Sequence, residues 1–83
     1  MTLDLANIVG LIGSAIMVIA FAYSNLAKRM NLVLFNLLNL LGAVMLGASL
    51  TVHFNMASML LEIVWAAIAL FGLVRALMAR ARA

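Results

Sequence analysis

Three apolar stretches of about 20 residues, parted by two short polar breaks, take up almost all of an 83-residue chain. A helix of about that length spans a hydrocarbon core of ~30 Å. In lipid, only helices and closed barrels satisfy every backbone polar group. The expected spans are residues 5–26, 31–52 and 56–78, followed by a short basic tail at 79–83. Ala27-Lys28-Arg29-Met30 sets two adjacent cations between Asn25 and Asn31, and Thr51-Val52-His53-Phe54-Asn55 is the only polar cluster of the second half. The expected fold class is therefore an all-α membrane protein: one membrane domain, 1–83, forming a three-transmembrane-helix bundle.

Composition supports this reading and removes several others. Hydrophobic residues make up 70% of the chain and charged residues 8%, with a mean hydropathy of +1.33. A soluble domain of this size needs far more polar residues to cover its surface. The isoelectric point near 10.8 rests on five Lys and Arg that fall at the ends of apolar segments. It therefore reads as a topology signal, with membrane lipid as partner and no nucleic acid. The absence of Cys excludes disulfides and thiolate chemistry, and the absence of Pro excludes proline kinks. The chain shows no phosphate loop, nucleophile elbow or metal-ligand constellation, so neither an enzyme nor a cofactor is expected.

Cationic residues favour cytoplasmic loops. Lys28 and Arg29 lie in the first break and Arg80 and Arg82 in the tail, with Arg75 near enough to snorkel toward it. The far side offers only Asp4 and His53. This predicts an N-terminus outside and a C-terminus inside, and a parallel arrangement of any homo-oligomer. Ala20-Phe21-Ala22 resembles a signal-peptide cleavage site, but the cations follow the apolar stretch instead of preceding it, so retention of the first span is expected.

Glu62 is the most informative residue. A carboxylate within a span costs roughly 2.5–3.5 kcal/mol on insertion scales and should face protein or water. Glu62 shares a helical face with Ser58, Trp65, Ala66, Ala69 and Gly72. It is either a substrate-binding or proton-carrying carboxylate, or a structural hydrogen-bonding group. In the second span, Asn36 and Asn39 precede Ala43 and Gly47 on one face, suited to pocket lining or to helix packing. Ala6, Gly10 and Ser14 repeat a small-residue spacing of four in the first span, beside Gly13, and suit packing. Equal rise per residue sets Glu62 level with Gly10 to Ser14 and Leu46 to Ser49. The predicted substrate site is thus a void lined by Ser14, Ser49, Glu62 and Trp65, with Asn39 and Asn36 leading from it. Trp65 serves there as core or as a stacking wall. Tyr23 is expected at the cytoplasmic interface, His53 in an outer loop, and the seven Met as adaptable packing.

Several segments resemble the SemiSWEET, or PQ-loop, half-transporters. Gly10-Leu11-Ile12-Gly13 is similar to that family's glycine-bearing start of helix one, and Leu41-Gly42-Ala43 to its second-helix centre. Leu60-Leu61-Glu62-Ile63-Val64 resembles its third-helix stretch, with Glu62 where the family has a substrate-contacting Asn. The Pro-Gln pair late in helix one is absent, Tyr23-Ser24-Asn25 standing nearby, and Leu46 or Gly47 replaces a Trp late in helix two. The chain also resembles uncharacterised small bacterial inner-membrane proteins of three-helix design. The resemblance implies a half-transporter that works as a parallel homodimer in a bacterial inner membrane and moves a small solute, with proton coupling through Glu62. The alternative is a scaffold or regulatory subunit whose polar and small-residue stripes pack against partner helices.

Overall fold

The computed structural model describes residues 4–82, and these form three helices: α1 (Leu5–Leu26), α2 (Leu32–Leu50) and α3 (Met56–Arg82). Their 22, 19 and 27 residues correspond to lengths of about 33, 28 and 40 Å. All three are long and apolar enough to cross a membrane. No strand occurs among the described residues.

Local chemistry sets the boundaries. Asp4 caps α1 by accepting a hydrogen bond from the Asn7 N–H at 2.8 Å. Asn31 does the same for α2 through Leu34 at 3.1 Å, and Asn55 for α3 through Ser58 at 3.0 Å. Each cap satisfies one of the amides that a helix start leaves without an intrahelical partner. Because Asn31 is spent as a cap, α2 begins one residue later than the sequence suggests. At its other end α2 closes early, where the Thr51 hydroxyl donates to Ala48 O at 2.6 Å and Ser49 O receives Val52 N and His53 N. The expected basic tail is different in kind: α3 stays helical through Arg82. Nothing between Met78 and Arg82 breaks the helix, since the segment is Ala and Arg, two good helix formers, and its two arginines suit a helix C-terminus.

α2 is the central helix. It packs against α1 on one side and α3 on the other, and among the described residues no Cα of α1 lies within 8 Å of one in α3. α2 is thus the helix in close backbone contact with both neighbours. At the α1–α2 crossing the backbones meet at two glycines: a Cβ added to Gly13 would sit 2.7 Å from Gly42 O, and one added to Gly42 would sit 2.7 Å from Gly13 O. Gly10 in turn makes room for Ser49. Gly47, expected on a face suited to pocket lining or to helix packing, has nothing within 4 Å of an added Cβ. Among the described residues, the buried apolar ones are Ala20, Ala43, Leu50 and Ala69, whereas 28 large hydrophobic side chains are exposed. That inversion is what a lipid-solvated chain requires, since the outer surface is covered by acyl chains and close packing falls to small residues.

The two ends of the fold differ in chemistry. At one end His53 Nε2 meets Asp4 Oδ2 at 2.9 Å, tying the α2–α3 link to the start of α1. At the other end, Asn31 N donates to Tyr23 Oη at 2.7 Å and Arg80 Nη2 donates to Asn31 Oδ1 at 3.3 Å. Tyr23 therefore clasps the first link. Asp4 is held below the ordinary 3.8 mainly by the Asn7 N–H, with a smaller contribution from His53. A lowered folded-state value contributes stability that is present above the unfolded value and lost as pH falls through the folded one. The melting temperature is therefore expected to drop more steeply below pH 3.8 in wild type than in Asp4→Asn, as read by helical circular dichroism in detergent.

Candidate functional site

The polar residues of the spans separate into two groups, because only α2 touches both neighbours. Ser49 belongs to the α1–α2 seam, and Ser14 bonds within α1. The Ser14 hydroxyl donates to Gly10 O at 2.8 Å, and Ser49, buried, sits beside Gly10. Asn36, Asn39, Glu62 and Trp65 belong to the α2–α3 seam. None of the three clefts described brings Ser14, Ser49, Glu62 and Trp65 together: Trp65 lines one and Ser49 another.

What α2 and α3 form instead is a cleft of about 140 Å³, lined by Phe35, Asn36, Asn39, Trp65, Ile68 and Ala69. Three of the predicted site residues meet there. Trp65 Nε1 donates to Asn39 Oδ1 at 3.1 Å, a bond between residues 26 positions apart. The Asn39 side-chain amide donates to Phe35 O at 2.9 Å, and that of Asn36 donates to Leu32 O at 2.8 Å. Asn36 also packs against Gly72, where any Cβ would collide with the amide. The Trp65 ring is 41% exposed, so it forms a wall of the cleft and is not core. Among the described residues, the Asn39–Trp65 bond is the side-chain hydrogen bond that joins α2 to α3 within the spans. Interhelical bonds of this kind contribute ~0.6–2 kcal/mol. Trp65→Phe is expected to weaken the α2–α3 pairing by about that much, with no further loss when Asn39→Ala is added, as measured by unfolding in mixed micelles.

Glu62 lies one turn before Trp65 on α3. It is only 6% exposed, and its Oε2 is buried with no hydrogen-bond partner among the described residues. α2 is the helix in close backbone contact with α3 among the described residues. Glu62 does not line the Asn39–Trp65 cleft. The packed face of α3 runs through Met59, Glu62, Ala66 and Ala69, with Ser58 exposed. The sequence thus placed Glu62, Ala66 and Ala69 inward correctly and misplaced Ser58. No group of three or more metal-binding side chains occurs among the described residues.

Three apolar membrane-crossing helices with a carboxyl and two Asn between them define a small multi-pass helical membrane protein. A family model matches residues 6–80, and the chain belongs to that family, which is uncharacterised. No curated protein and no solved structure matches the chain. The family match agrees with the likeness to uncharacterised three-helix membrane proteins; the SemiSWEET likeness rests on the quoted segments alone.

Proposed function

We propose that the protein is half of a small-solute transporter. It works as a parallel homodimer in a cytoplasmic membrane, with its N-terminus outside and its C-terminus inside. Glu62 carries this reading. A carboxyl oxygen that is buried inside a span without a partner costs about 1–3 kcal/mol, and such a group is a functional candidate by default. Its placement beside the Asn39–Trp65 cleft suits a residue that exchanges a proton while a solute occupies the neighbouring turn. Asn36 and Asn39 supply the polar contacts, and Trp65 supplies a stacking face. Three helices are too few to enclose a path by themselves, so a second copy is needed to close one. Segregation of all five cations from Asp4 and His53 supports the orientation.

A second reading has its own support. Asn36 and Asn39 already donate to backbone carbonyls of α2, and Asn39 accepts from Trp65. The cleft is therefore largely satisfied without a ligand, which suits a scaffold that packs against partner helices. The chain's single Trp lines the cleft, so its fluorescence reports occupancy. Titration of purified protein with cationic and neutral small solutes is expected to give a saturable Trp65 response for at least one class, weakened by Asn39→Ala. No response across the panel, together with one stably co-purifying membrane protein, favours the scaffold.

A further inference from the structure

The basic end of the fold has no acidic side chain among the described residues. Lys28 and Arg29 lie in the first link, and Arg80 and Arg82 in the last turn of α3. The bond from Arg80 Nη2 to Asn31 Oδ1 draws the end of α3 onto that link. The chain has only two carboxylate side chains. Asp4 is paired with His53 at the opposite end, and Glu62 lies about 27 Å further along α3, at 1.5 Å per residue. Among the described residues, no carboxylate side chain lies at the end that carries these cations.

A groove of about 240 Å³ opens at the same place. Met30, Leu32, Val33 and Ala76 form an apolar wall, and Asn31 and Arg80 form a polar rim. Of the five N–H donors of the Arg80 guanidinium, one is directed to Asn31. Among the described residues the group makes no other hydrogen bond, and a guanidinium recognises phosphate in bidentate fashion. The groove therefore offers, side by side, a wall that suits an acyl chain and a rim that suits an anion, at the level where α3 leaves the hydrocarbon.

We propose that this groove is a binding site for an anionic phospholipid, with one acyl chain along the wall and the phosphate on Arg80. Lys28, Arg29 and Arg82 supply the field that favours a net-negative headgroup over a zwitterionic one. Arg75 is not part of the site; it lies 5.7 Å from the centroid of the Phe71 ring. The site is independent of the transport reading, since it uses none of Asn36, Asn39, Glu62 or Trp65.

Native mass spectrometry of the full chain in detergent tests it, with phosphatidylglycerol and phosphatidylcholine of identical acyl chains, and with inorganic phosphate as a third arm. Phosphatidylglycerol is expected to bind several-fold more tightly than phosphatidylcholine. Arg80→Gln should lose about fivefold of that preference, Arg80→Lys should keep part of it, and Arg75→Gln should keep it all. Equal binding of the two lipids overturns the proposal, as does an unchanged preference in Arg80→Gln. Equal losses in Arg75→Gln and Arg80→Gln would show a diffuse field and no site. Displacement of the lipid by millimolar inorganic phosphate would show that the anion recognised is free phosphate.

Discussion

Glu62→Leu is expected to yield a protein that is more resistant to unfolding than wild type and has no transport activity. The Oε2 of Glu62 is buried and makes no hydrogen bond among the described residues, so its removal breaks no such bond within the protomer. A leucine of similar size removes the cost of an unsatisfied polar group, about 1–3 kcal/mol. Glu62→Gln behaves differently. It keeps the shape and hydrogen-bonding capacity but cannot release a proton, so fold and assembly should survive while pH-dependent uptake is lost. Unfolding of both variants by sodium dodecyl sulfate in mixed micelles, alongside reconstituted uptake, separates the two effects. A Leu variant less stable than wild type would mean that the carboxyl has a structural partner, such as Glu62 of a second copy.

The second large effect concerns the α1–α2 crossing. Gly42→Val is expected to force the two helices apart, at roughly 1–3 kcal/mol or more. Its Cβ would stand 2.7 Å from Gly13 O, a backbone atom, and 2.5 Å from Met17 Cγ. The side chain of Met17 can turn aside, but the carbonyl can move only with its helix. Gly47→Ala is the matched control. Nothing lies within 4 Å of the added Cβ, and replacing a glycine in mid-helix should leave stability equal or slightly raised. Unfolding in mixed micelles reads both. Equal tolerance of the two substitutions would mean that the glycine crossing does not hold α1 to α2.

The same crossing shows where the sequence was legible and where it was not. Hydropathy alone located the three spans, because the length of an apolar run is set by the bilayer and does not depend on tertiary partners. The ends were less visible, although the signal was present: Asp4, Asn31 and Asn55 each precede a helix and accept from the amide three residues on. Reading them as caps would have started α2 at Leu32. The order of packing could not be read, since small residues occur on all three helices and spacing does not say which stripes meet. Equal depth placed Glu62 level with Ser14, but depth is not contact, and α2 stands between α1 and α3. The Asn39–Trp65 bond was hidden for the same reason. Burial of Glu62 was legible because the cost of a carboxylate in lipid is local and large.

The central claim, that Glu62 exchanges a proton while the Asn39–Trp65 cleft holds solute, is tested most directly in proteoliposomes. A solute that gives a Trp65 response would be followed across the membrane under an imposed pH gradient, with wild type and Glu62→Gln compared over a range of pH. The expected result is uptake by wild type that follows the gradient and varies with pH, and a Gln variant that still binds the solute, still dimerises and shows no gradient-driven uptake. Identical uptake and an identical pH profile in the two proteins would contradict the claim.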